Sequence, residues 1–148
     1  MKLLRNWYFV QTSAVDPEAR GIEFKNELMG ELLRFVSAHE VGHTLGLPHN
    51  MGSSSAFPVD SLRSATFTQK YGTAPSIMDY ARFNYVAQPG DKGVALIPSH
   101  WESPNVGVYD KFSVMWGYKP ILDVSEDEEK DILKKWIIDK EDDMMYRF

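Results

Sequence analysis

Two segments in the first third of the chain have apolar residues at helical spacing. Residues 2–13 predict a helix that ends before Pro17, because proline disfavours helical backbone in the residue preceding it. A longer helix is predicted over about 23–45, a stretch without proline. Its apolar positions are Leu28, Leu32, Phe35, Val36 and Leu45. Gly46 and Pro48 then stop this helix and prevent it from resuming.

The rest of the chain divides into an irregular middle and a helical end. From Asn50 to Pro104 the sequence is rich in Ser, Gly, Pro and Asn, and a stretch this long is usually functional or held by other parts of a protein. Helical patterns return over about 109–140, where Ser125 and Glu128 form a capping box. The acidic run 126–129 could hold a cation, but a solvated helix N-terminus is the preferred interpretation. The pattern predicts a mainly α fold with little sheet.

Composition narrows the class of protein further. The 148 residues, 43% hydrophobic and 25% charged, correspond to one domain spanning 1–148. A net charge of -5 argues against nucleic-acid binding, and no apolar run approaches the roughly 18 residues of a membrane span. The N-terminus begins like a signal peptide, but Arg5 and Asn6 interrupt it, so none is predicted in this chain. Without cysteine, thiolate metal ligands and disulfides are excluded.

The segment 39–49 matches the zinc-binding pattern H-E-x-x-H-x-x-G-x-x-H. Residues four apart on a helix share a face and lie about 5–6 Å from each other, so His39 and His43 could bind one zinc ion. Gly46 can adopt the positive φ of a sharp turn, which would bring His49 back as the third ligand. Three protein ligands leave a fourth position for water, the arrangement of a catalytic site. The sequence therefore predicts one Zn²⁺ per chain.

The residue after the first histidine is predicted to be the general base. A carboxylate at Glu40 could take a proton from zinc-activated water and then pass it to the departing amine of a peptide. Because no glutamate occurs between Glu40 and Glu102, a nearby third ligand of that type is excluded. Asp60 or Asp79 could replace His49 as the third ligand, and this remains the weaker alternative.

At these residues the chain resembles the metzincin metallopeptidases. Residues 76–80 are similar to the methionine turn that lies beneath the metal in that clan, which implies that Met78 supports the site. Tyr80 matches a position at which some metzincins carry a tyrosine that stabilises the oxyanion. A core tyrosine with a satisfied hydroxyl is the equally weighted alternative for Tyr80.

A closer resemblance, to the Met-zincin domain of large exported bacterial zinc peptidases, covers nearly the whole chain. It rests on the stretches 31–36, 49–53, 83–91, 109–112 and 116–118. It implies an endopeptidase exported to the periplasm, cell surface or medium, acting on proteins or peptides. Metzincins place a twisted sheet before the active-site helix, yet only 38 residues precede His39. We therefore expect a fragment of a longer polypeptide, with the active-site helix and the lower, C-terminal subdomain.

Two other functions remain open from the sequence. The domain could be a catalytically silent, zinc-stabilised binding module of a larger exported protein, or the metal could serve only to fold it.

Three polar residues are not assigned to the site. His100 is interpreted as a surface or packed histidine, Asp91 as a turn residue for which a second metal is the alternative, and Arg82 receives no role.

Overall fold

The computed structural model describes residues 2–21, 23, 25–80, 84–97 and 107–147, with positions 4 and 18 described by their backbone alone. Within them the α-helices are α1 (Lys2–Thr12), α2 (Asn26–Thr44), α3 (Val59–Leu62), α4 (Ala65–Tyr71), α5 (Val108–Tyr118) and α6 (Glu126–Ile138). Short 3₁₀ turns occupy Pro17–Arg20, Ser53–Ala56 and Met144–Tyr146. These described residues contain no β-sheet, which confirms the prediction of a mainly α fold.

With 19 residues, α2 is the longest helix among the described residues. It begins at Asn26, three residues later than predicted, and ends at Thr44 just before the expected stop. Its buried residues are Leu32, Phe35, His39 and Gly42, which lie on one face at helical spacing. Leu32 and Phe35 pack with Ile97 in the apolar core, and Trp7 of α1 lies against them. One face of α2 therefore carries both the core and the first histidine of the motif.

Hydrogen bonds to buried polar side chains hold the irregular middle of the chain. The backbone N–H of Ala95 donates to the Thr68 hydroxyl at 2.9 Å, and the backbone N–H of the buried Thr73 donates to the carbonyl of Ile97 at 3.2 Å. Asn50, Ser53, Ser76 and Asp79 are also buried. Buried polar groups must be paired to avoid a desolvation cost, so these bonds fix loops that apolar periodicity could not reveal. These bonds explain how residues 50–80 and 84–97 are held in place although their helices are short.

The C-terminal helices follow the sequence-based expectation. Glu128 accepts a hydrogen bond from the Ser125 backbone at 2.8 Å, and the Ser125 hydroxyl accepts one from Glu128, so the capping box is confirmed. The bond from the Ser125 backbone N–H and a second one that the Ser125 hydroxyl donates at 2.7 Å lower the pKa of the Glu128 carboxyl. The residues of the acidic first turn are mostly exposed, as expected for a solvated N-terminus. Within the described residues, no helix is both long and apolar enough to cross a membrane.

Asp91 connects a turn to the helical part of the chain. Its backbone N–H donates to the Gln88 carbonyl at 2.9 Å, as in a turn. Its carboxylate accepts from Arg63 Nε at 2.8 Å, Arg63 Nη2 at 3.1 Å and the Gln88 N–H at 2.8 Å. The bonds from Arg63 and Gln88 lower the pKa of Asp91. The turn interpretation agrees with this geometry, in which both carboxylate oxygens are already engaged.

Replacement of Asp91 by asparagine is expected to make the fold less stable at neutral pH. Since the pKa of Asp91 is lower in the fold than its ordinary value of 3.8, the ionised carboxylate stabilises the fold above that value. The contribution is lost as the pH falls through the lowered pKa. Urea unfolding should therefore show a gap between wild type and Asp91→Asn at pH 7 that closes below pH 3.8. Asp142→Asn, at an exposed carboxylate, is the control, and a gap independent of pH would contradict the prediction.

Candidate metal centre

Three histidine side chains converge at the C-terminal end of α2. His39 and His43 lie one helical turn apart, and His49 follows in the loop after Gly46, which has a φ of 81°. His49 Nε2 lies 3.1 Å from His43 Nε2 and 3.2 Å from His39 Nε2. The positive φ at Gly46 reverses the chain directly after the helix, as predicted, and this reversal brings the third ring to the other two.

The tautomers of two of these rings are fixed by backbone carbonyls. His39 Nδ1 lies 2.7 Å from the carbonyl oxygen of Ile77, and His43 Nδ1 lies 2.9 Å from that of Leu47. A carbonyl oxygen can only accept, so Nδ1 carries the proton in each ring and Nε2 of the neutral imidazole presents a lone pair. Each ring is thus oriented as metal-binding histidines are, with the second nitrogen anchored.

Two of the three separations between Nε2 atoms are close to those around a tetrahedral metal ion. Zn–N bonds of about 2.0–2.1 Å at tetrahedral angles place two ligand nitrogens about 3.3–3.4 Å apart. The separations of His49 Nε2 from the other two, 3.1 and 3.2 Å, are close to this value, and the three ligand atoms all lie within 4.8 Å of one another. Nitrogen-only ligands of neutral imidazole suit Zn²⁺ and other late transition metals rather than Ca²⁺ or Mg²⁺, which prefer oxygen. The residues present therefore fit a zinc ion.

The alternative third ligands lie elsewhere. Asp79 is buried, and its Oδ2 accepts hydrogen bonds from the Ser54 N–H at 2.7 Å and the Ser53 hydroxyl at 3.2 Å. Asp60 is exposed in α3. Among the described residues, the group of His, Asp or Glu side chains close enough to share an ion consists of His39, His43 and His49.

The predicted methionine turn lies directly beneath α2. Met78 is fully buried, and a Cβ added at Gly42 would overlap its sulfur atom. The Met78 carbonyl accepts from the backbone N–H of Asn50 at 3.1 Å, which ties the turn to the residue after His49. The turn thus contacts the site from two sides, through the helix that carries His39 and through the loop that carries His49.

Tyr80 lies against two of the three histidine rings. The Tyr80 hydroxyl is 2.9 Å from His49 Nε2, and its ring stacks on His39 at a centroid distance of 5.1 Å. The Tyr80 side chain is 42% exposed, so it borders solvent instead of lying in the core. Glu40 is exposed next to His39 on α2. Arg82 and His100 lie outside the described residues.

Most of the chain matches the model of a protein family. A family model described as DUF4953, Met-zincin, matches residues 21–148. The chain belongs to the Met-zincin family. The resemblance stated from sequence motifs is thereby confirmed, and the histidine cluster makes this a metallopeptidase-like domain with a candidate metal site. No curated protein and no solved structure matches the chain.

Sequence reasoning missed one residue that organises the site of this Met-zincin domain. Asp110, in the first turn of α5, is buried and accepts hydrogen bonds from the Ser76 hydroxyl at 2.6 Å and the Ile77 N–H at 2.8 Å. Burial raises the pKa of the Asp110 carboxyl, while the two hydrogen bonds and nearby His39 oppose the shift. In the sequence an aspartate in a first helical turn indicates only a favourable dipole interaction, so its partner 33 residues earlier could not be predicted.

The close approach of Gly42 to Met78 predicts opposite effects for two glycines of one helix. Gly42→Ala forces a Cβ onto the buried Met78 sulfur and should destabilise the domain by about 1–3 kcal/mol. Gly30→Ala meets only Arg34 Nη1 at 3.8 Å and should stabilise it by about 0.5–1 kcal/mol, because alanine favours the helix. Urea unfolding of both variants measures the difference. A gain in stability at Gly42 similar to that at Gly30 would show that the turn does not pack under the helix.

Proposed function

We propose that this Met-zincin domain is a zinc-dependent metallopeptidase that hydrolyses peptide bonds. His39, His43 and His49 hold one Zn²⁺ per chain. The observation that carries the proposal is the convergence of their Nε2 atoms, with His49 within 3.2 Å of both others. Membership of the family supports the same function. An exported enzyme that forms part of a longer polypeptide and acts on proteins or peptides is the setting we propose for it.

The metal and Glu40 have different chemical roles in the proposed reaction. Bound Zn²⁺ supplies Lewis acidity, which polarises the scissile carbonyl and makes water easier to deprotonate. Glu40 accepts the proton as the water oxygen bonds to the carbonyl carbon. Glu40 then donates that proton to the peptide nitrogen as the C–N bond breaks. The products are a carboxylic acid and an amine. Exposure of Glu40 at the end of α2 supports this role.

Tyr80 is the residue we propose for stabilising the oxyanion. Its hydroxyl already lies within hydrogen-bond distance of a histidine Nε2 atom, so it reaches the point that the ligands share. A phenol there can donate to the carbonyl oxygen as negative charge develops. Met78 does no chemistry in this proposal, since it is buried beneath α2 and supports the helix that carries two ligands.

Metal content tests the ligand assignment. Purified wild-type protein should contain about one zinc per chain, and His43→Ala should lose it because only two of the three ligands then remain. Elemental analysis after dialysis measures the ratio. Ser37→Ala, an exposed position on the same helix, is the matched control and should keep the metal. Wild-type zinc content in His43→Ala would contradict the assignment.

Glu40→Gln separates metal binding from catalysis. The variant should keep zinc but lose about 10²–10⁴-fold in the rate of peptide hydrolysis, the usual contribution of a general base. Cleavage of a quenched peptide library, with and without chelator, measures the rate. Glu27→Gln removes an exposed carboxylate from the first turn of the same helix and should leave the rate unchanged. Full activity in Glu40→Gln would exclude it as the base.

A second candidate function is a zinc-stabilised binding module without catalysis. It is favoured by an apolar groove of about 870 Å³ between α2 and α5, lined by residues other than the three histidines, with Val41 and Leu45 among its exposed lining residues. Large apolar grooves on a surface often mark contact sites. Stoichiometric zinc without any chelator-sensitive cleavage across the peptide library would favour the module over the peptidase.

A further inference from the structure

A chain of hydrogen bonds connects the buried carboxylate of Asp110 to the ring of His39. The His39 Nδ1–H donates to the Ile77 carbonyl at 2.7 Å. The other side of that same peptide group is the N–H of Met78, which donates to the Ser76 hydroxyl at 3.0 Å. The Ser76 hydroxyl in turn donates to Asp110 Oδ1 at 2.6 Å. Every donor in this chain therefore points toward the carboxylate.

Because these hydrogen bonds all run in one direction, they strengthen the bond that holds the His39 ring. In a low-dielectric interior, aligned hydrogen bonds polarise one another and strengthen each member. Ser76 is fully buried and Asp110 is buried, so water does not screen the chain. A carbonyl polarised in this way accepts more strongly from the His39 Nδ1–H, and a ring whose Nδ1–H is held more strongly is a better electron donor at Nε2.

The second ligand of the helix lacks such a chain, which provides an internal comparison. His43 Nδ1 donates to the Leu47 carbonyl at 2.9 Å. The peptide group containing that carbonyl ends at the nitrogen of Pro48, which has no hydrogen to donate. A chain of hydrogen bonds like the one from His39 to Asp110, which we call the relay, cannot continue through this peptide group. The two histidines of α2 are therefore anchored by carbonyls of different acceptor strength.

We propose that Ser76 and Asp110 are positioning residues that act on the metal site through the Ile77–Met78 peptide group, fixing the His39 ring and strengthening it as a ligand. The inference rests on the zinc site proposed above. It adds two residues, one from α5 and one from the methionine turn, that touch neither the metal nor the substrate. Asp110 also holds the turn through the Ile77 N–H, at 2.8 Å.

Ser76→Ala tests the relay, because it interrupts the chain while leaving the bond between the Ile77 N–H and Asp110 in place. We expect the dissociation constant for Zn²⁺ to rise about 10-fold or more, the usual cost of losing such a partner. In the zinc-loaded protein, the proton resonance of His39 Nδ1–H should move upfield, while that of His43 Nδ1–H stays in place. Competition with a chromophoric chelator and proton NMR measure these two quantities.

Thr68→Ala is the matched control for a general loss of stability. Thr68 has a buried hydroxyl that accepts from the Ala95 N–H and donates to the Ser64 carbonyl, as the Ser76 hydroxyl accepts and donates, but neither of these partners contacts a histidine ligand. This variant should lose stability yet keep the wild-type affinity for Zn²⁺ and the wild-type His39 resonance. If zinc affinity fell as much in Thr68→Ala as in Ser76→Ala, lost stability alone would explain the weaker binding of Zn²⁺. That result would overturn the relay.

Asp110→Asn keeps the inference testable if Ser76→Ala does not fold. It removes the negative charge at the end of the chain with little change in size, and it should weaken Zn²⁺ binding and move the His39 resonance in the same direction. Unchanged zinc affinity and an unmoved His39 resonance in the folded variants would overturn the relay while leaving the zinc site intact. Failure of the wild-type protein to bind Zn²⁺ would instead overturn the proposed function.

Discussion

The main physical constraint on this domain is that lone pairs on the nitrogen atoms of its histidines face one another. Backbone carbonyls place a proton of His39 and of His43 on Nδ1, so in the neutral rings both Nε2 atoms are acceptors, and His49 Nε2 lies within 3.2 Å of each. Acceptors that converge in this way repel unless a cation or a donor lies between them. A proton on His49 could satisfy only one neighbour at a time, whereas a metal ion satisfies all three. The fold thus holds an arrangement that a bound cation would stabilise.

Buried polar groups, more than apolar packing, hold the rings in that arrangement. The apolar core at Leu32, Phe35 and Ile97 supports the first half of α2, and the histidines lie at its other end. There residues 76–80 are tied to the segment after His49 by the Met78 carbonyl and by Asp79, and to α5 by Asp110. Hydrogen bonds have narrow geometry, so they fix ligand positions more sharply than apolar contacts can.

The sequence predicted those parts of the site that depend on neighbours along the chain. His39 and His43 share a helical face because four residues make about one turn, and Gly46 reverses the chain after the helix as its conformational freedom suggested. The capping box of α6 is equally local. The roles of Ser76 and Asp110 could not be predicted, because a short polar side chain in a loop has the same sequence signature whether it is buried or solvated. Only the contact between distant segments distinguishes the two cases.

X-ray absorption at the zinc edge of the purified, zinc-loaded protein tests the central claim most directly. Three imidazole nitrogens around one ion should produce a first shell at about 2.0–2.1 Å, with the multiple scattering of three histidine rings and one further oxygen from water. That result would place His39, His43 and His49 around an ion with an exchangeable position. A shell with fewer than three imidazoles, or one closed by a fourth protein ligand, would contradict the account.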